Sequence, residues 1–305
     1  MLFEDLRAFV AVIDHNSLTR AAEVLSLTQS AVSRRIQHLE EVLDAELFDR
    51  NSRPPQPTAL ARRVYEQALP LMLNARRLLD ISRDDLAPAG SFRVGLTQAV
   101  GEMMLFDVAR RLRSAFPALD LKLHTEWSTR LQEQLAHGGL DAVAVMKPSP
   151  SELPARMDGR LITTLPVVVV QSKQTPLVAR DTAIAQLAEQ EWILNPVGCG
   201  YRAALERAMA GAGRQLNLRV DTIGTELQLR LVAAGMGLGL VPRSVLHRSP
   251  SLEQLTVVDT PDFAMQLDVW VIHTLQMGNL RRAADLLCDV VTECLATQDA
   301  QATGV

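Results

Sequence analysis

The sequence predicts an α-helical N-terminal domain with a wing, a long linker helix, and then an α/β domain of two subdomains. Three observations carry this. Residues 1–50 place apolar side chains at helical spacing in three short runs. From Thr58 to about Asp85 one heptad-like seam continues without a turn signal. After Gly90, short β-branched runs alternate with helical ones, the pattern of an α/β sheet with mostly parallel strands. The chain has 305 residues, enough for about two or three domains with cores of their own.

The first run, FEDLRAFVAVIDH, turns Leu6, Phe9, Val10 and Ile13 to one face. Ser17 is a suitable N-cap for LTRAAEVL, whose inner face is Leu18, Ala21, Ala22 and Leu25. The small alanines let a second helix cross closely. SLT (Ser26–Thr28) is the turn, and Thr28 caps QSAVSRRIQHLEEVL, where Val32, Ile36, Leu39 and Leu43 recur inward. Gln29, Ser30, Ser33, Arg34 and Gln37 are left on the opposite face. Gln, Ser and Arg bond base edges and phosphates, and a helix N-terminus favours phosphate. This is the pattern of a helix-turn-helix whose second helix enters a major groove. On these residues alone, the solvated face of an ordinary helical hairpin is the competing reading.

Charge favours a focused patch over a basic domain. The formal net charge is −4. From Ser17 to Arg63, seven arginines (20, 34, 35, 50, 53, 62, 63) face six acids (23, 40, 41, 44, 46, 49).

Beyond that helix, Leu47-Phe48 return to the core, and Arg50 and Arg53 stand on a Pro-rich loop suited to a wing. The run LRAFVAVIDHNSLTRAAEVLSLTQSAVSRRIQHLEEVLDAELFDR resembles the LysR-type transcriptional regulators of bacteria. Its Phe on the first helix, Ser-Leu-Thr-Arg-Ala-Ala, Thr-Gln-Ser-Ala-Val-Ser, Ile-x-x-Leu-Glu and Leu-Phe-x-Arg match that family in order and spacing. Asp44 replaces a usual Gly, an αL position that Asp tolerates. Of the family's LTxAG, QPTALA keeps only Thr58. The resemblance implies a winged helix-turn-helix in which Ser17 and Thr28 touch phosphate. It places Gln29, Ser30, Ser33 and Arg34 in the groove and makes Arg50 and Arg53 anchors of the wing. Arg35 is a bystander or a phosphate clamp, since adjacent helix residues point about 100° apart.

In the linker, Ala61, Val64/Tyr65, Ala68, Leu71/Met72, Ala75 and Leu78/Leu79 form a seam for a partner helix. Pro70 in its middle predicts a kink, or a helix held together by packing. The resemblance implies an antiparallel pairing of two linker helices in a homodimer, and further assembly to a homotetramer. APAGS (Ala87–Ser91) is the hinge. The domains are thus 1–58, the linker 59–86, the hinge 87–90 and the effector-binding domain 91–305. The last divides into subdomain I (91–163 and 268–305) and subdomain II (164–267), with crossings near Ile162–Pro166 and Ala264–Val269.

In that domain LVAAGMGLGLVP also resembles the family, which implies two Rossmann-like subdomains built like a periplasmic binding protein. A cleft between them binds at the C-terminal ends of strands. Strand ends and helix starts nominate Thr97, Gln98, Ser128, Met146, Lys147, Cys199, Tyr201 and Thr225 as effector-binding. Hydroxyls and helix N-termini there suit a small organic anion, with Lys147 and Arg202 as sources of charge.

Other functions find little support. GMGLG (Gly235–Gly239) follows a helical run and opens a strand, the reverse of a dinucleotide loop. G-x-S-x-G and HExxH are absent from the sequence, so neither catalysis nor a metal or other cofactor is expected. Cys199, Cys288 and Cys294 read as small buried residues, and Cys199 lacks the neighbouring cysteine that peroxide-sensing members of the family use. No apolar run reaches the ~20 residues of a membrane span, and the N-terminus shows no signal-peptide pattern, which predicts a cytoplasmic protein. The expected partners are double-stranded promoter DNA, a small-molecule effector and a second copy of the chain, and the resemblance admits RNA polymerase as a further one. The alternative is a solute-binding module or an enzyme carrying a helical dimerisation segment.

Overall fold

A computed structural model describes residues 2–49, 56–80, 87–154 and 157–302. They divide into two compact units, residues 1–85 with 136–139, and a larger one of residues 86–135 with 140–305.

In the first unit, α1 (Leu2–His15), α2 (Leu18–Leu25) and α3 (Gln29–Leu43) pack around Phe9, Ala21, Val32, Ile36 and Leu39, all buried. Phe9 meets Phe48 edge-on, ring centroids 5.9 Å apart. Both caps form as the sequence predicts. Ser17 Oγ accepts from Arg20 N at 3.3 Å, and Thr28 Oγ1 from Ala31 N at 3.2 Å. Asp44 closes α3 in the left-handed region at φ 49°. The last turn of α3 departs from expectation: Leu43 is exposed. It lines a shallow apolar groove with Leu2, Leu6, Val42, Leu60 and Leu71.

The base of the wing is the antiparallel pair β1 (Phe48–Asp49) and β2 (Gln56–Pro57), with Phe48 opposite Pro57. Arg50 and Arg53, nominated for the wing, lie outside the described residues.

The linker helix α4 spans Ala59–Asp80 and continues through Pro70, where the helix lacks one backbone donor. Residues 81–86 of the expected linker lie outside the described residues. Only part of the predicted seam is open. Ala61 and Ala68 are buried in the core of their own unit and Val64 and Tyr65 pack half-buried against it, whereas Leu71 and Leu78 are exposed.

In the second unit, β3 (Gly90–Thr97), α5 (Gln98–Ala115), β4 (Leu119–Glu126), α6 (Ser128–Ala136) and β5 (Ala142–Pro148) form one half. The other half holds α7 (Ile184–Leu187), β7 (Glu191–Leu194), α8 (Gly200–Gly211), β8 (Asn217–Asp221), α9 (Thr225–Ala233), β9 (Leu238–Pro242), α10 (Arg243–Arg248) and β10 (Leu255–Val258). Two long strands, β6 (Met157–Ser172) and β11 (Met265–Thr274), tie the halves together, and α11 (Arg281–Ala302) follows. The sheet order is β4-β3-β5-β11-β6-β9-β7-β8, with β10 on β6.

The expectation of mostly parallel strands needs correction, because the sheet is mixed. β3 pairs parallel with β4 and β5, and β7 with β8 and β9. β6 and β11 run antiparallel to each other and to β9 and β5. The chain crosses between halves on those two strands, which breaks the repeated right-handed crossover of a parallel sheet. Burial follows position. Central β5 and β9 are almost wholly buried, while edge strands β4 and β8 alternate between half-buried and exposed.

GMGLG is the turn out of α9 into β9. Gly237 has φ 155°, and a Cβ there would lie 2.6 Å from Glu191 O.

Candidate functional site

Two sites follow from these elements, one in each unit. In the first, α3 separates its two sides sharply. Val32, Ile36, Leu39 and Glu40 are buried. Gln29, Ser30, Arg34 and Gln37 are exposed and Ser33 is half-buried. Thr28 Oγ1 lies 3.0 Å from Ser30 Oγ, so the hydroxyls gather at the start of the helix. Asn16, Ser17, Thr19, Gln29, Ser33 and Gln37 line one groove of about 460 Å³ where the start of α2 faces α3. The arrangement offers hydroxyls, amides, one guanidinium and two helix N-termini on a single surface, a chemistry suited to phosphates and base edges.

Arg35 does not join that surface. Its Nη1 lies 3.0 Å from Glu4 Oε2, and one turn on His38 Nδ1 lies 2.8 Å from Asp5 Oδ2. The acidic first turn of α1 thus grips the flank of α3. Glu40, buried beneath, accepts from Leu47 N at 2.7 Å and Phe48 N at 3.3 Å. That carboxylate fixes where the chain turns from α3 into the wing.

In the second unit, four helices begin at one cleft: α5 after β3, α6 after β4, α8 after β7 and α9 after β8. Seven of the eight nominated residues line it together: Thr97, Gln98, Ser128, Met146, Cys199, Tyr201 and Thr225. Lys147 does not. Successive strand residues point to opposite faces, and Lys147 donates to Glu152 O away from the cleft. Burial lowers its ammonium pKa, against the pull of Asp268 and Glu152. Arg202 is also turned away: it donates to Asn195 O at 3.0 Å, Glu206 at 2.9 Å and Asp221 at 3.1 Å.

Trp127, Asn195, Gly198, Gly200 and Leu267 line the cleft without having been nominated by the sequence. For Asn195 the signal is its place at the end of EWILN, the same strand-end logic that nominated Met146. Ser128 is the first residue of α6 and reaches back to β5. Its hydroxyl donates to Met146 O at 2.8 Å and lies 3.2 Å from Thr97 Oγ1. Asn195 Nδ2 donates to Tyr201 OH at 2.6 Å. Burial pushes the Tyr201 hydroxyl well above its ordinary pKa and raises the Cys199 thiol, so both are neutral at pH 7. None of the described lining residues is Lys or Arg. The cleft offers helix N-termini and neutral hydrogen-bonding groups instead.

Among the described residues no helix is long and apolar enough to cross a membrane, and no His/Cys/Asp/Glu group is arranged to hold a metal.

Two family models match the chain. Residues 3–62 match "Bacterial regulatory helix-turn-helix protein, lysR family", and residues 86–294 match "LysR substrate binding domain". The HTH-type transcriptional regulator YofA of Bacillus subtilis is 26% identical over 273 residues, covering 88% of this chain and 91% of that protein. The RuBisCO operon transcriptional regulator of Allochromatium vinosum is 27% identical over 277 residues, 88% of each. Among solved structures, a full-length OxyR variant from Pseudomonas aeruginosa superposes with TM-score 0.73 at 19% identity, covering 95% of this chain and 94% of its own. Full-length CbnR complexed with its target DNA gives TM-score 0.59 at 20% identity, over 96% and 100%.

Proposed function

The chain belongs to the LysR family of bacterial transcriptional regulators, and from that premise we propose that it binds promoter DNA in response to a small organic anion. One observation carries the reading: Gln29, Ser30, Arg34 and Gln37, exposed polar residues of α3, share a face that α1 leaves uncovered. Ser17 and Thr28 supply phosphate contacts at the starts of α2 and α3. Gln29, Ser30, Ser33 and Arg34 read the groove, and Arg50 and Arg53 hold the wing to the backbone. Arg35 orients α3 through Glu4 and contacts no base.

The effector enters the cleft ringed by Thr97, Gln98, Ser128, Tyr201 and Thr225. Its binding shifts one half of the second unit against the other and re-spaces the DNA-binding units of a homodimer joined through α4, or of a homotetramer. Leu71 and Leu78, apolar and exposed on α4, support the pairing. The regulator acts by placing these units on DNA, with RNA polymerase as a further partner, and not by catalysis.

The test is a gel shift of the full-length protein on duplexes from the neighbouring promoter, at two salt concentrations, with a scrambled duplex as competitor. A specific complex that survives the competitor is expected. Equal binding to both duplexes overturns the reading.

A further inference from the structure

A carboxylate of the chain itself occupies the amide of one cleft residue, Thr225. Glu102, on α5 of one half, has Oε1 3.2 Å and Oε2 3.3 Å from Thr225 N, the first amide of α9 in the other half. Gln98 Nε2, one turn earlier on α5, donates to the same Oε1 at 3.4 Å. Gly224 precedes the contact with φ 102°, and the helix start offers no side-chain cap of its own. The amide of α9 that would meet an entering anion is thus satisfied from within the chain.

Two further features characterise the cleft. The cavity left in the cleft is about 20 Å³, room for roughly one water, whereas ligand pockets run to hundreds of Å³. Asn195, 3% exposed and lining the same cleft, has no hydrogen-bond partner for its Oδ1 among the described residues. The cleft is therefore closed over an unsatisfied acceptor, and the Glu102 carboxylate sits beside it on the first amide of α9.

We propose that Glu102 is a tethered stand-in for the effector's carboxylate, holding the cleft closed until a compact carboxylic acid displaces it. The proposal rests on reading the cleft as the effector site. A carboxylate at a helix start is favoured by the amide and the dipole together, so one such group replaces another at little net change. Two carboxylates at one amide repel, so entry of the second requires departure of the first. Glu102 is exposed and on a flexible stem, which lets it swing clear.

The test uses full-length wild-type, Glu102→Ala and Glu102→Gln proteins with propionate as the probe, since propionate matches the Glu102 side chain from Cβ to the carboxylate. Hydrogen exchange at the first amides of α9 should rise in Glu102→Ala by about tenfold, the scale of a lost bond to a charged acceptor. Propionate should restore the protection and bind Glu102→Ala about tenfold more tightly than wild type, with Glu102→Gln between them. Unchanged exchange in Glu102→Ala overturns the clasp. Equal propionate affinity in all three proteins overturns displacement and leaves the cleft an anion site. No propionate binding by any of them, with exchange already raised in Glu102→Ala, overturns displacement and the anion reading together.

Discussion

Arg35 Nη1 lies 3.0 Å from Glu4 Oε2, while Arg34, the preceding residue, is exposed on the other side of α3. The basic pair is therefore divided between two surfaces. Arg34→Ala should relax sequence preference, since a bidentate arginine contact discriminates bases by about 1–3 kcal/mol. Arg35→Ala should keep the preference and lose at most about 1 kcal/mol of stability, the range of a half-exposed ion pair. Gel shifts on specific and scrambled duplexes, with urea melts of both variants, check this. Loss of preference in Arg35→Ala would reverse the assignment.

Glu40 is 8% exposed and bonds two backbone amides at the entry to the wing. Glu40→Ala leaves the Leu47 and Phe48 amides without that acceptor, at a cost of about 1–3 kcal/mol. The readout can be localised. All three tryptophans, Trp127, Trp192 and Trp270, belong to the second unit. Far-UV circular dichroism should therefore show an earlier helical transition in Glu40→Ala, while the tryptophan fluorescence transition stays in place.

The N-terminal unit was legible because its signals are local. Caps at Ser17 and Thr28, an αL residue at Asp44 and apolar spacing each act within one or two turns. The cleft was legible as far as one rule reached: residues where a strand ends and a helix begins. That rule reaches seven lining residues and fails at Lys147, which lies one residue past Met146 and so points to the opposite face of the strand. The antiparallel course of β6 and β11 was not legible, since strand direction depends on which half each end joins. Glu102 was hidden for the same reason: its partner amide is 123 residues away in sequence.

The cysteines differ in accessibility and should label in sequence. Cys199 and Cys288 are buried and Cys294 is half-buried. Burial pushes the Cys288 thiol from 9.0 up to about 11. Iodoacetamide at pH 8 should modify Cys294 first and the other two only after denaturation. The raised value also sets a sign. The folded state keeps the Cys288 proton longer than the unfolded chain, so its contribution to stability is complete below pH 9.0 and declines as pH rises towards about 11. Cys288→Ser should flatten that decline in alkaline melts.

Asp268 on β11 sits where the two long strands pair, 3% exposed. Its Oδ2 accepts from Ser151 N at 2.9 Å and Ser151 Oγ at 2.8 Å, and its Oδ1 from Thr164 Oγ1 of β6 at 2.8 Å. Burial alone would raise its pKa, but hydrogen bonds from Ser149, Ser151 and Thr164 outweigh it and hold the carboxyl below 3.8. Such a depressed group stabilises the fold above its unfolded value, and the contribution is lost as pH falls through the lower folded value. Asp268→Asn replaces one acceptor with a donor facing donors, and should cost about 2 kcal/mol near pH 7. The gap between variant and wild type should narrow once pH drops below 3.8. Trp270 Nε1 donates to Ser151 Oγ at 3.0 Å, so tryptophan fluorescence follows the same network during urea melts. A gap that stays constant from pH 7 to pH 3 would show that Asp268 acts there by shape and not by charge.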